Sequence, residues 1–206
     1  LGDVYKRQHI RALNEKPELL KSCGRPAIDT QVEIRDDDDN PLPIGEVGQI
    51  CAKGPQIMRG YWNKDEESQK ALKGGWMHTG DAGRMDEEGF VFIQDRIKDM
   101  IVSGGENIYS TEVEAALFAH PDVLDAAVIG IPDEKYGEVV KACIVKKEGS
   151  KINEDDLINF CKDRIASYKK PQSIDFIDEV PRNASGKVLK KVLREPYWKG
   201  QDRQVS

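Results

Sequence analysis

The sequence predicts an α+β protein: a β-rich, barrel-like piece over residues 1–97, then a small α+β domain over residues 98–206. Three observations predict this. From Ser22 to Gln94 the pattern is one of short strands broken by turns. After Lys98, helical periods alternate with strands in the order α-β-β-α-β-α. The segment Asp95–Asp99 lies where one grammar gives way to the other.

In the first piece, TQVEIRD alternates and puts Val32 and Ile34 on one face, the signature of a half-buried strand. DDDDNPLPIGEVG, residues 36–48, is a turn cluster of Asp, Asn, Pro and Gly. QICAKG and GFVFIQD read as further strands, and helical signal is limited to about Lys64–Leu72. The opening LGDVYKRQ has neither apolar period nor turn logic and is set aside as foreign to the natural chain.

In the second piece, Thr111 followed by Glu114 predicts a capping box, with Val113, Ala116 and Leu117 as the apolar face of a helix ended by Pro121. LDAAVIGI and EVVKACIV are strands. Asn153 is placed to cap a helix whose first turn carries Glu154, Asp155 and Asp156, near the positive end of the dipole. Leu157, Phe160, Cys161 and Ile165 define its inner face. SIDFI is another strand, and Val188, Leu189, Val192 and Leu193 predict a last short helix.

Composition excludes several classes. The chain has 206 residues, 33% charged and 38% hydrophobic, as expected of a globular protein rather than a disordered one. A net charge of −6 argues against nucleic acid as a partner. No run approaches the ~18 apolar residues of a spanning helix, and no signal peptide opens the chain. The expectation is a cytoplasmic protein, with peripheral association with a membrane and the oligomeric state left open. Cys23, Cys51, Cys143 and Cys161 form no C-x-x-C pair, so neither a zinc site nor a disulfide framework is encoded; Cys143 and Cys161 read as buried free thiols. His9, His78 and His120 are too scattered in the sequence to suggest a metal cluster, and no metal ligand is assigned.

Some motif matches fail. ASGKV lacks the glycine five places before Gly186 and the Ser/Thr after Lys187 that a Walker loop needs. SGGENIY lacks the spacing of a dinucleotide loop, and Asp36–Asp39 lacks the sixth-position Gly and twelfth-position Glu of a calcium loop.

Four stretches remain: GEVGQICAKGPQIMRGYWNKDEES; GGWMHTGDAGRMDEEGFVFIQDRIKDMIVSGGENIYSTEVE; VIGIPDEKYGEVVKACIV; and VPRNASGKVLKKVLRE. Their order and spacing resemble the adenylate-forming superfamily, from about Gly45 to the C-terminus. SGGENIYSTEVE and LREPYWKG look most like the C-terminal part of long- or medium-chain fatty-acyl-CoA synthetases. The resemblance implies that residues 1–97 end a large AMP-binding domain and that 98–206 form its small, mobile lid. It implies an enzyme that activates a carboxylic acid with ATP to an acyl-adenylate and passes the acyl group to coenzyme A.

By the same resemblance Lys187 is the catalytic cation, carried in by a mobile loop to meet charge building on the α-phosphate. Asp81 accepts from the two ribose hydroxyls, as a carboxylate with two acceptor oxygens can. Arg96 also faces the nucleotide, Lys98 is the hinge, and Gly104, Gly105 and Glu106 meet coenzyme A. The family's phosphate loop, its magnesium-ligating glutamate and most of its acyl pocket have no counterpart here, so they are expected upstream, in a missing N-terminal portion of the same enzyme. The isolated chain is then expected not to complete adenylation. The alternatives are a non-catalytic nucleotide- or CoA-binding module lacking the phosphate loop, and a β-rich interaction domain, which leaves Asp81, Arg96 and Lys187 unexplained.

Overall fold

The computed structural model describes residues 16–199; LGDVYKRQ, His9 and the terminal RQVS lie outside them. The chain divides into two compact units between Arg96 and Ile97.

The first unit is built on β1 (Gln31–Arg35), β2 (Gly48–Lys53), β3 (Met77–Met85) and β4 (Val91–Arg96), with helix α1 (Asp65–Ala71) between β2 and β3. The strands pair antiparallel in sequence order. Ile34, Ile50 and Val91 form the buried centre, with Val32, Leu42 and Met85 packed against it, so the alternation in β1 does mark the inner face. The barrel expected here is not closed: β1 and β4 are the edges of an open sheet. Four strands paired in sequence order, with isolated bridges Val91–Gly24 and Arg35–Pro41 at their edges, are too few to enclose a filled interior. The acidic run is a turn, in which Asp36 Oδ1 accepts from Asn40 N at 2.8 Å.

The second unit opens with a single three-ten turn, Ile97–Asp99. It continues through β5 (Ile101–Ser103), β6 (Glu106–Ile108), α2 (Ser110–Phe118), β7 (Val123–Asp133), β8 (Gly137–Lys146), α3 (Glu154–Lys162), β9 (Ser173–Phe176) and α4 (Lys190–Arg194). The sheet order is β6-β5-β8-β7, with β9 also beside β8 and parallel to it. A parallel neighbour requires a crossover, and α3 supplies it. Val113, Leu117, Val128, Ile144, Leu157 and Cys161 are fully buried in the main core between helices and sheet. Asn153 caps α3 as expected: its side chain accepts from Asp156 N, and Asp156 returns a bond to Asn153 N.

Two local expectations are corrected. Helix α2 starts at Ser110 with Tyr109 at the N-cap and no side-chain capping bond, so Thr111 lies inside the helix and is not the cap of a Thr111–Glu114 capping box. Glu114 has a stronger use: its Oε1 accepts from Val128 N at 2.9 Å and lies 2.7 Å from Lys190 Nζ. The last helix is Lys190–Arg194, because Val188 is held in an antiparallel bridge with Arg182 and Leu189 N bonds to Pro181 O.

Strand β7 is the edge of its sheet, and side chains occupy its outward groups. Ala126 N donates to Asp125 Oδ1, Val128 N to Glu114 Oε1, and Gly130 O accepts from Trp198 Nε1 at 3.0 Å. No helix among the described residues is long and apolar enough to cross a membrane.

Candidate functional site

In the first unit the antiparallel register sets Asp81 on β3 directly opposite Arg96 on β4. Gly80, at φ +74°, supplies a left-handed bend inside β3. Thr79 pins that bend, its Oγ1 donating to Ile50 O at 2.8 Å and accepting from Asp81 N at 3.1 Å. Arg96 Nε then reaches Asp81 Oδ1 at 3.3 Å. Arg96 is half exposed, and an ion pair so placed is weak in water. The carboxylate can therefore exchange this donor for a ligand's hydroxyls while the guanidinium stays beside it. Asp95 is buried and accepts from Arg96 N at 2.7 Å, which fixes the backbone under Arg96.

The histidines are scattered in the sequence but not all isolated in space. Asp39, Cys51 and His78 bring one ligand-type atom each within 4.8 Å of one another. Arg35 donates to Asp39 Oδ1 at 3.2 Å and stacks its guanidinium over Trp76 at 4.4 Å. His78 Nδ1 lies 2.6 Å from Gln49 Oε1, and burial pushes the Cys51 thiol up to about 11. Magnesium demands oxygen ligands, so this group of sulfur, imidazole and an already paired carboxylate does not fit the ion that accompanies ATP.

In the second unit Lys98 is exposed within the three-ten turn that begins the unit. Gly104 and Gly105 are the two-residue tip of the β5–β6 hairpin, with φ +60° and +86°. Two successive positive φ values are what a type I′ turn needs, so the turn alone accounts for both glycines. Glu106 follows them and is exposed.

Lys187 stands at the tip of a loop closed by the Arg182–Val188 bridge. Asn183 N donates to Lys187 O at 2.9 Å, while Asn183 Oδ1 accepts from Lys187 N at 2.9 Å and from Ser185 N and Oγ. Gly186 turns the chain with φ +80°, and its carbonyl accepts from Arg182 Nη1. Arg182 is itself held by both oxygens of Asp125, at 3.0 and 2.8 Å. Beyond the loop, Lys190 is buried against Glu114 and Ser110. The loop expected to be mobile is thus locally braced at both ends. Its lysine side chain is exposed, with no hydrogen-bond or ion-pair partner for Nζ among the described residues.

As braces of this loop, Arg182, Asn183, Glu114 and Lys190 carry no expectation from the sequence. Only Asn183 had a local signal, since Asn side chains bond the backbone two residues on in turns. The structure brings Asp81 to Arg96; Lys98, the glycine hairpin and the Lys187 loop all belong to the second unit.

Comparison with known proteins agrees with both units. The family profile described as AMP-binding enzyme C-terminal domain matches residues 112–187, and that described as AMP-binding enzyme matches residues 8–62. A feruloyl-CoA synthase of Amycolatopsis sp. is 43% identical over 194 residues, 94% of this chain and 38% of that protein. A long-chain-fatty-acid–CoA ligase of Escherichia coli O6:H1 is 44% identical over 174 residues, 84% of this chain and 31% of that one. Among solved structures, ATP-bound MatB from Rhodopseudomonas palustris superposes with a TM-score of 0.81 at 36% identity, over 86% of this chain and 36% of its own. The chain spans about a third of the length of these relatives. The chain belongs to the adenylate-forming superfamily of AMP-binding enzymes.

Proposed function

We propose that this chain serves in an AMP-forming acid–thiol ligase, which uses ATP to convert a carboxylic acid to an acyl-adenylate and then to its coenzyme A thioester. One observation supports this most: an exposed lysine ammonium without a partner among the described residues, on a loop whose backbone is braced on both sides. A free cation on a fixed base suits a site where charge develops during phosphoryl chemistry, since a preorganised charge needs no rearrangement as the reaction proceeds. Lys187 is assigned to the α-phosphate and acyl oxygens, Asp81 to the ribose hydroxyls and Arg96 to the nucleotide beside it. Lys98 is the pivot, and the Gly104–Gly105–Glu106 tip faces coenzyme A. No described residue is assigned to magnesium.

The acid is proposed to be a fatty acid, on the likeness of SGGENIYSTEVE and of the E. coli ligase. An aromatic acid is the second reading, favoured by the 43% identity with a feruloyl-CoA synthase.

A chimera tests the reading: this chain replaces the matched part of MatB, and each half-reaction is measured separately. Lys187→Ala is expected to lower acid-dependent pyrophosphate exchange by about 10²–10³-fold, the usual cost of losing one preorganised charge-stabilising group. It is expected to spare thioester formation from supplied acyl-adenylate. Equal loss in both halves removes the assigned role. Asp81→Ala is expected to raise the KM for ATP, and an unchanged KM removes the ribose contact.

A further inference from the structure

Helix α4 ends at Arg194, whose side chain reaches back to the first residues of the same unit. Its Nη1 donates to Lys98 O at 3.1 Å and its Nη2 to Asp99 Oδ1 at 3.0 Å. The side chains of Arg194 and Asp99 are each only 13% exposed. A guanidinium that bonds a carboxylate and a carbonyl at once is geometrically exacting as well as charged, and at this depth it is screened far less than a surface pair. From these contacts we infer that Arg194 is a positioning residue which fixes where the second unit can pivot.

The argument is one of torsions. The carbonyl oxygen of Lys98 lies beyond the Cα–C bond of Lys98. Rotation about either backbone torsion of Lys98 therefore carries that oxygen, Asp99 and Arg194 together, and both bonds survive. Rotation about the N–Cα bond of Asp99 leaves the Lys98 oxygen behind and tears the first bond. Rotation about its Cα–C bond tears both. Swinging is thus confined to Lys98 and the residues before it, and the chain from Asp99 onward is part of a rigid body. Met100 N, bonded to Ile97 O at 3.2 Å, spans Lys98 and stands outside the clamp, so a rotation at Lys98 must release this bond.

The clamp also joins the pivot to the working lysine. Arg194 closes the helix that Lys190 opens, and Lys190 is anchored to Glu114 directly after the Lys187 loop. A rotation at Lys98 is thereby delivered to Lys187 without being absorbed in a soft joint. This inference rests on the proposed swing of the second unit, so its test is chosen to judge the two apart.

The 206-residue chain is labelled in pairs for distance measurement, at Glu87→Cys in the first unit and Glu148→Cys in the second, both exposed positions, in a Cys23→Ser background. The distance distribution is compared among the otherwise native chain, Lys98→Pro, Arg194→Gln and Arg194→Lys. Hydrogen exchange of the β7–β8 amides reports that the second unit stays folded. With those amides still protected, Arg194→Gln is expected to lose the discrete maxima of the distribution, Arg194→Lys to lose them partly, and Lys98→Pro to delete part of the range. A distribution that changes with Lys98→Pro but not with Arg194→Gln overturns the clamp. One indifferent to Lys98→Pro overturns the pivot and the inference with it. A dead wild-type chimera, by contrast, removes the ligase reading and leaves the labelled chain to judge the clamp.

Discussion

The two units solve the same packing problem at different depths. In the first, an open four-stranded sheet is centred on Ile34, Ile50 and Val91, and helix α1 beside it buries no residue. Much of its order comes from polar contacts: Arg35 between Glu33 and Asp39, His78 against Gln49, Thr79 on Ile50 O. In the second, two helices cover a sheet around fifteen buried side chains, and buried or half-buried ion pairs are added where the chain must be held. Asp81 sits on a lightly cored strand pair. The Lys187 loop belongs to the unit with the larger core.

Substitutions can break or sharpen this contrast. The largest effect is expected from Glu114→Ala, which strands buried Lys190 and orphans Val128 N. Removing one member of such a pair typically costs about 3–5 kcal/mol. Denaturant unfolding followed by amides of each unit should show that loss in the second unit alone; an equal loss in the first would erase the distinction.

Next come matched truncations of core residues. Leu157→Ala and Ile34→Ala each delete buried atoms worth roughly 2–5 kcal/mol. The second unit, with its larger core, is expected to keep a cooperative transition, and the first to lose its own. Two surviving transitions would mean that polar contacts carry more of the first unit than its packing suggests.

The smallest effect is one of acidity. Burial raises the Asp175 carboxyl, but hydrogen bonds from Lys141 and Tyr197 outweigh it and hold the group below its ordinary value. Its contribution is therefore complete above the unfolded value of about 3.9 and drains away as pH falls through the lower folded value. Acid titration should weaken the second unit in that window, and Asp175→Asn should flatten the slope. An unchanged slope would remove Asp175 from the account.

Much of this was legible in the sequence. The alternation in β1, the apolar runs of β7 and β8 and the Asn153 cap are local patterns, and each led to the observed element. Strand β3 was hidden because Gly80, Asp81 and Gly83 interrupt any apolar period; β2 and β4 impose its extended form from either side. Strands β5 and β6 are three residues each, too short to show a period. Asp81 and Lys187 were singled out through motif order, yet what braces the Lys187 loop was not legible. Glu114 read as a helix cap because its true partner, Lys190, is remote in sequence, and no local rule pairs Arg194 with Asp99.

The occupied outer rim of β7 has a consequence for life in solution. An edge strand shows its border to every neighbouring molecule. Unfilled amides and carbonyls there would invite a foreign strand to zip on. With Asp125, Glu114 and Trp198 already seated on those groups, the second unit has little to offer an intruder along this edge.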